Sequence, residues 1–184
     1  AGSLGWNLEE PEERGLLRVV MTSPEVGLAD LQSVGGQIET LVREMDAKRI
    51  VVDSVSRLQT LASGRSRLRE LQYCFINGLK REGLTSILTS EGPSLLGNGD
   101  RAVDDLAFMV DSYLMLRYVE IDSAVRRAIT VLKMRGSEHA QDIRQYDLTG
   151  QGIAIQSRFE GREGILSGSP RRMSDSFAKA FLGR

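Results

Sequence analysis

The run Arg-Ile-Val-Val-Asp-Ser at residues 49–54 constrains the fold more than any other feature of the chain. Three consecutive apolar residues ending on a carboxylate describe a strand covered on both faces, as the central strands of a parallel sheet are. After it, residues 65 to 82 set Leu68, Leu71, Phe75 and Leu79 on one side of a helix that closes at Gly83, where a glycine suits a helix C-terminus. Leu-Thr-Ser-Ile-Leu-Thr-Ser at 84–90 then reads as another strand. Upstream, Leu31, Val34, Ile38, Leu41, Val42 and Met45 recur at three or four, which predicts one helix over about 27 to 46 with its apolar stripe against a sheet. The short run Leu-Leu-Arg-Val-Val-Met-Thr at 16–22 reads as a strand before it. Alternating strand and helix predicts a mostly parallel sheet built from right-handed crossovers.

After residue 107 the pattern changes. Phe-Met-Val-Asp-Ser-Tyr-Leu-Met-Leu-Arg-Tyr-Val-Glu-Ile, Ala-Val-Arg-Arg-Ala-Ile-Thr-Val-Leu-Lys-Met, Ile-Arg-Gln-Tyr-Asp-Leu-Thr and Gly-Ile-Ala-Ile-Gln-Ser follow one another with short polar connections and no helix between them. That pattern predicts an antiparallel extension. Residues 161–172 are punctuated by glycine and proline, and Met173 to Leu182 read as a short terminal helix. The expected fold class is α/β: a mostly parallel sheet flanked by helices, with antiparallel C-terminal strands. Residues 4–156 form the core and 157–184 a tail.

A chain of 184 residues, 41% hydrophobic and 27% charged, suits one globular domain. A formal net charge of -1 gives no broad basic field for a polyanion, which counts against nucleic acid as a partner. The single cysteine, Cys74, builds neither a disulfide framework nor a zinc site and fits a reducing compartment, hence the cytoplasm. It reads as a small buried hydrophobe beside the apolar stripe of its helix. No apolar run approaches the ~20 residues that span a bilayer, and Ala-Gly-Ser-Leu-Gly-Trp-Asn-Leu-Glu-Glu is no signal peptide. Trp6 reads as an N-terminal anchor.

Asp53 is the first candidate for chemistry. A strand that delivers an aspartate at its carboxyl end places it where ligands bind in open α/β sheets, and in a phosphate-loop ATPase such a carboxylate holds magnesium through water. Capping the next turn is an equal alternative, one that Ser54 also suits. A phosphate-binding loop itself is missing: none of the 19 glycines is followed by lysine, so G-x-x-x-x-G-K-[ST] fails at its most specific step. In such a domain the loop follows the first strand, so the expectation is that it lies upstream of Ala1. The second candidate is Lys133-Met134-Arg135-Gly136-Ser137-Glu138-His139, three potentially cationic side chains at a strand end. They suit a triphosphate, but on spacing alone a solvated basic turn is the favoured reading.

Taken together, Arg-Ile-Val-Val-Asp-Ser at 49–54, Leu-Arg-Tyr-Val-Glu-Ile at 116–121, residues 126–139 and Ile-Leu-Ser-Gly-Ser-Pro at 165–170 resemble KaiC, the circadian clock ATPase family, and its second ATPase domain in particular. The resemblance runs from about Leu4 to Arg172. It implies a RecA-like fold of the phosphate-loop superfamily whose N-terminal part is absent here, and a parent protein that assembles as a hexameric ring with ATP and magnesium between subunits and with signalling proteins as possible partners. It implies that Asp53 is the magnesium-side aspartate, and that Arg127, Lys133, Arg135, Ser137 and His139 reach across to a neighbouring subunit's nucleotide. The family's catalytic glutamates are expected upstream of Ala1, so this chain alone is expected to bind no nucleotide and to be inactive.

The chain departs from the family at several positions. Ala107 and Phe108 stand where the clock proteins carry adjacent autophosphorylated serine and threonine, Glu138 where they have tryptophan, and Gln141 where they have lysine. Two other readings are a nucleotide-independent interaction module using the same edge and a RecA-like DNA-repair ATPase. The second places a DNA-contacting loop at 91–105, yet that stretch holds Arg101 against Glu91, Asp100, Asp104 and Asp105, the wrong sign for phosphate. Asp104 and Asp105, being adjacent, point in different directions and do not form a dyad.

Overall fold

The computed structural model describes residues 2, 5–91, 103–166 and 170–172. The chain divides into two compact units, one of Asn7–Glu91 and one of Ala1–Trp6 with Gly92–Arg184.

The Asn7–Glu91 unit contains α1 (Glu9–Glu13), α2 (Pro24–Gln32), α3 (Gln37–Glu44), β1 (Arg49–Val52), a 3-10 helix (Val55–Leu61), α4 (Arg65–Arg81) and β2 (Thr85–Leu88). Strands β1 and β2 pair in parallel, with Val51 beside Ile87 and Val52 beside Leu88. The core lies among α2, the 3-10 helix and α4, where Leu28, Leu31, Val55, Leu58, Leu71, Phe75, Ile76 and Leu79 are buried. Gly78 lets α2 approach closely, since a Cβ there would stand 3.1 Å from Leu31 Cβ. Arg81 Nη2 ties the same helices by donating to Leu31 O at 2.9 Å. Gly83, with φ +70, ends α4 as expected.

Four expectations in this unit fail. Residues 16–22 form no strand; β propensity needs a partner ladder, and Leu16 and Met21 stay exposed. The expected helix over 27–46 breaks into α2 and α3, because Gly35 takes φ +74 and Asp30 caps a fresh helix start. Asp30 Oδ1 accepts from Gln37 N at 2.5 Å and Oδ2 from Ile38 N at 2.8 Å. β1 is not covered on both faces: Val51 and Ile87 are 65% and 62% exposed, because among the described residues the buried helices serve only one side. Cys74 is exposed, since the buried stripe of α4 runs through Leu71, Gln72, Phe75, Ile76, Gly78 and Leu79 and position 74 lies about 100° or more from its centre.

The second unit contains α5 (Val103–Met109) and a four-stranded antiparallel sheet, β3 (Ser112–Ile121), β4 (Ala124–Met134), β5 (Arg144–Thr149) and β6 (Gly152–Arg158), in the order β3-β4-β5-β6. The expected extension is therefore present, although Phe108 and Met109 belong to α5. A further pair, β7 (Arg162–Glu163) with β8 (Arg171–Arg172), follows. Alternation along β3 and β4 sends Val119 and Ala128 to one face, where they pack with Ile165, Ile121, Ile143 and Phe159. The other face leaves Leu114, Leu116 and Tyr118 exposed. Trp6 lies against the β5–β6 turn, within 3.5 Å of where a Gly152 Cβ would stand, but stays 53% exposed. The expected terminal helix at 173–182 and most of the 91–105 loop lie outside the described residues.

Candidate functional site

Asp53 follows β1 directly, at the carboxyl end of the β1–β2 pair. Thr89 follows β2 in the same register, and its Oγ1 donates to Asp53 Oδ1 at 2.5 Å. The backbone locks the two strand ends together: Thr89 N donates to Val52 O at 3.0 Å and Val55 N to Thr89 O at 3.0 Å. At the same end Ser56 Oγ lies 3.4 Å from Ser90 Oγ and accepts from Glu91 N at 2.7 Å. The result is an exposed carboxylate steadied by a threonine at a sheet end that carries oxygen donors. Such donors fit magnesium, which usually takes one or two carboxylates with phosphate and water. Thr89 was not singled out from the sequence, yet aligning Ile-Val-Val-Asp with Ser-Ile-Leu-Thr as parallel neighbours sets it beside Asp53.

The other five residues lie on or just after β4, in the second unit. Lys133 Nζ donates to Ala107 O at 2.6 Å and to Val110 O at 2.7 Å. Arg135 Nη2 donates to Phe108 O at 2.9 Å and its Nη1 pairs with Asp111 Oδ1 at 3.2 Å. Both cations therefore sit on the C-terminal carbonyls of α5, where the helix dipole and unpaired C=O groups favour positive charge. Gly136 turns the chain with φ +69, Ser137 Oγ donates to Glu138 O at 3.1 Å, and His139 is half-buried.

Arg127 differs from these. It is half-buried, its Nε is shut off from solvent without a protein partner, and among the described residues no hydrogen bond or ion pair meets its guanidinium. Its one specific contact is the ring of Tyr118, directly opposite on β3, with Cζ 5.9 Å from the centroid. Tyr146 stands nearby: burial pushes its phenol above the ordinary tyrosine range, Tyr118 adds to the rise, and Arg127 pulls the other way. A guanidinium kept partly out of water with no counter-charge is costly unless an anion arrives from outside the chain. Spacing alone did not reveal this contrast, because Arg127, Lys133 and Arg135 look alike in sequence and differ only in what the fold puts beside them.

Among the described residues, no group of three or more His, Cys, Asp or Glu side chains gathers to hold a metal ion, and no helix is long and apolar enough to cross a membrane.

A β-α-β pair ending on aspartate, joined in one chain to an antiparallel sheet bearing a basic strand end, makes this an α/β protein with candidate ligand-binding groups at strand ends. The family model described as "ATPase: KaiC" matches residues 1–160, and the chain belongs to that family. The circadian clock protein KaiC3 of Synechocystis sp. is 33% identical over 181 residues, covering 97% of this chain and 35% of that protein. The circadian clock oscillator protein KaiC of Acaryochloris marina is 38% identical over 176 residues, covering 95% of this chain and 33% of its own length. The chain thus spans about a third of the length of these curated relatives. The crystal structure of a KaiC-like protein from the hyperthermophilic archaeon Pyrococcus horikoshii OT3 superposes with a TM-score of 0.69 at 24% identity, over 85% of this chain and 67% of that one, and supports the fold.

Proposed function

We propose that the chain is the later part of an ATPase domain from a longer, ring-forming cytoplasmic protein, and that it lends the β4 edge to a nucleotide held by a neighbouring subunit. The observation that carries this reading is Arg127, the half-buried guanidinium whose Nε is shut off from solvent without a partner among the described residues. A triphosphate from another subunit would supply a counter-charge in bidentate form. Lys133 and Arg135 stand farther along the same strand and turn; each has N–H groups beyond those bound to α5, and Ser137 and His139 continue the turn towards the same ligand. Asp53, steadied by Thr89, is the carboxylate that would hold magnesium, whose chemistry when bound is to neutralise phosphate charge. The phosphate-binding loop and the general base belong to the upstream part of the parent, so the chain alone does not hydrolyse ATP. The ATPase-domain part spans residues 4–156 and the tail 157–184, with Phe159 and Ile165 of the tail packing back on the antiparallel sheet. Ala107 and Phe108 in place of hydroxyl residues argue against an autokinase cycle at these positions.

Titrating the 184-residue chain with ATP and magnesium by calorimetry, with its mass followed by light scattering, tests the division of labour. No heat of binding is expected. Tight, stoichiometric binding would place a complete phosphate site within this chain and overturn the reading.

A further inference from the structure

The aromatic ring across the sheet gives Arg127 a fixed place, and this has a consequence for the nucleotide reading. Tyr118 and Arg127 are register partners on β3 and β4, which sets their side chains on the same face and close together. The guanidinium lies within the range at which a ring quadrupole attracts a cation. The ring centroid stands 5.9 Å from Arg127 Cζ, the Tyr146 phenol is close enough to feel both, and Nε has no acceptor among the described residues. A cation attracted to a neighbouring ring has part of its ordering cost met before any ligand binds, which favours gripping an anion. A carboxylate in place of the ring would have positioned Arg127 equally well but would have neutralised it. An aromatic face holds a cation while leaving its charge and its N–H donors for a phosphate.

We propose that Tyr118 is a positioning residue: its ring holds Arg127 in a preset orientation for a phosphate group of a neighbouring subunit's nucleotide. This deepens the reading of Arg127 given above and rests on it.

The test uses the full-length parent protein as an assembled ring, with ATP hydrolysis measured over a range of ATP concentrations and ring mass checked by light scattering. Arg127→Ala serves as the control for the underlying reading and is expected to raise KM at least about tenfold. Tyr118→Leu, which keeps apolar bulk but removes the π face, is expected to raise KM about fivefold with kcat little changed. Tyr118→Phe, which keeps the ring, is expected to stay within about twofold of the parent. Tyr118→Leu with the parent's KM, or Tyr118→Phe as impaired as Tyr118→Leu, overturns the positioning role. Should Tyr118→Leu fail to assemble, Tyr118→Trp replaces it: a KM at or below the parent's supports the role, and a rise to that of Arg127→Ala contradicts it. A normal KM for Arg127→Ala would instead remove the nucleotide reading itself.

Discussion

Asp30 shows how much a single side chain decides in this chain. Its two carboxylate oxygens take the first free amides of α3, and a Cβ on Gly36, the residue at the helix start, would stand 2.6 Å from Asp30 O. Asp30→Ala should therefore cost about 1–2 kcal/mol, read as a lower midpoint in urea at unchanged slope; an unchanged midpoint would mean that the cap contributes nothing. Tyr146 makes a prediction of a different kind. Its phenol keeps its proton more tightly in the folded state, so its contribution is fully present below the unfolded value of ~10 and is lost as pH rises through the higher folded value. Thermal melts from neutral pH to about pH 11 should fall less steeply for Tyr146→Phe than for the parent chain; identical slopes would contradict the assignment.

Lys133 and Arg135 bind α5 to the end of β4 through three carbonyls and a carboxylate. With seven residues α5 is too short to hold by propensity alone. Lys133→Met should loosen it, seen as faster amide exchange at residues 106–110 and a loss of about 1 kcal/mol; exchange unchanged from the parent would show that α5 does not depend on this contact. Any activity lost with Lys133 or Arg135 thus mixes a structural cause with a ligand cause, whereas Arg127 has no such bond to lose. Packing of α2 on α4 makes a sharper case. Gly78→Ala would press a methyl against Leu31 at 3.1 Å and should cost ~1–3 kcal/mol, measured by denaturant unfolding; a stability equal to the parent's would mean that α2 gives way freely. At this scale α4 and the run of antiparallel strands were legible in the sequence because their patterns are long and unbroken, and the four-residue β1 and β2 because short apolar runs flank a clear helix. The break between α2 and α3 was not. The apolar positions continue across Ser33–Gly36 in helical register, and only the capping by Asp30 and the left-handed Gly35 reveal the interruption. Residues 16–22 misled for the opposite reason: a β-rich composition without a neighbouring strand has nowhere to pair.

At the scale of the whole chain, much of the apolar exposure lies on the two sheets. Val51 and Ile87 stand open on the parallel pair, and Leu114, Leu116 and Tyr118 on the antiparallel sheet, more apolar surface than isolated exposed residues would give. The curated relatives are about three times as long as this chain. Family membership was legible through Lys-Met-Arg-Gly-Ser and Ile-Leu-Ser-Gly-Ser-Pro, but the distinction between Lys133 and Arg135, held on α5 carbonyls, and Arg127, whose Nε has no partner among the described residues, was not, because it depends on cross-strand neighbours and burial. The central claim is that Arg127 serves a nucleotide on another subunit. Mixing two forms of the full-length protein tests it most directly: one with its upstream phosphate-binding loop disabled, the other carrying Arg127→Ala, each assayed for ATP hydrolysis alone and after co-assembly in equal amounts. With ATP held well below the raised KM of Arg127→Ala, the account predicts that the loop-disabled form is inactive alone, that Arg127→Ala alone is about tenfold slower than the parent, and that mixed rings recover about a quarter of the parental rate, the share of interfaces that combine an intact loop with an intact arginine in a head-to-tail ring. No recovery in mixed rings, or full activity of Arg127→Ala alone, would contradict it.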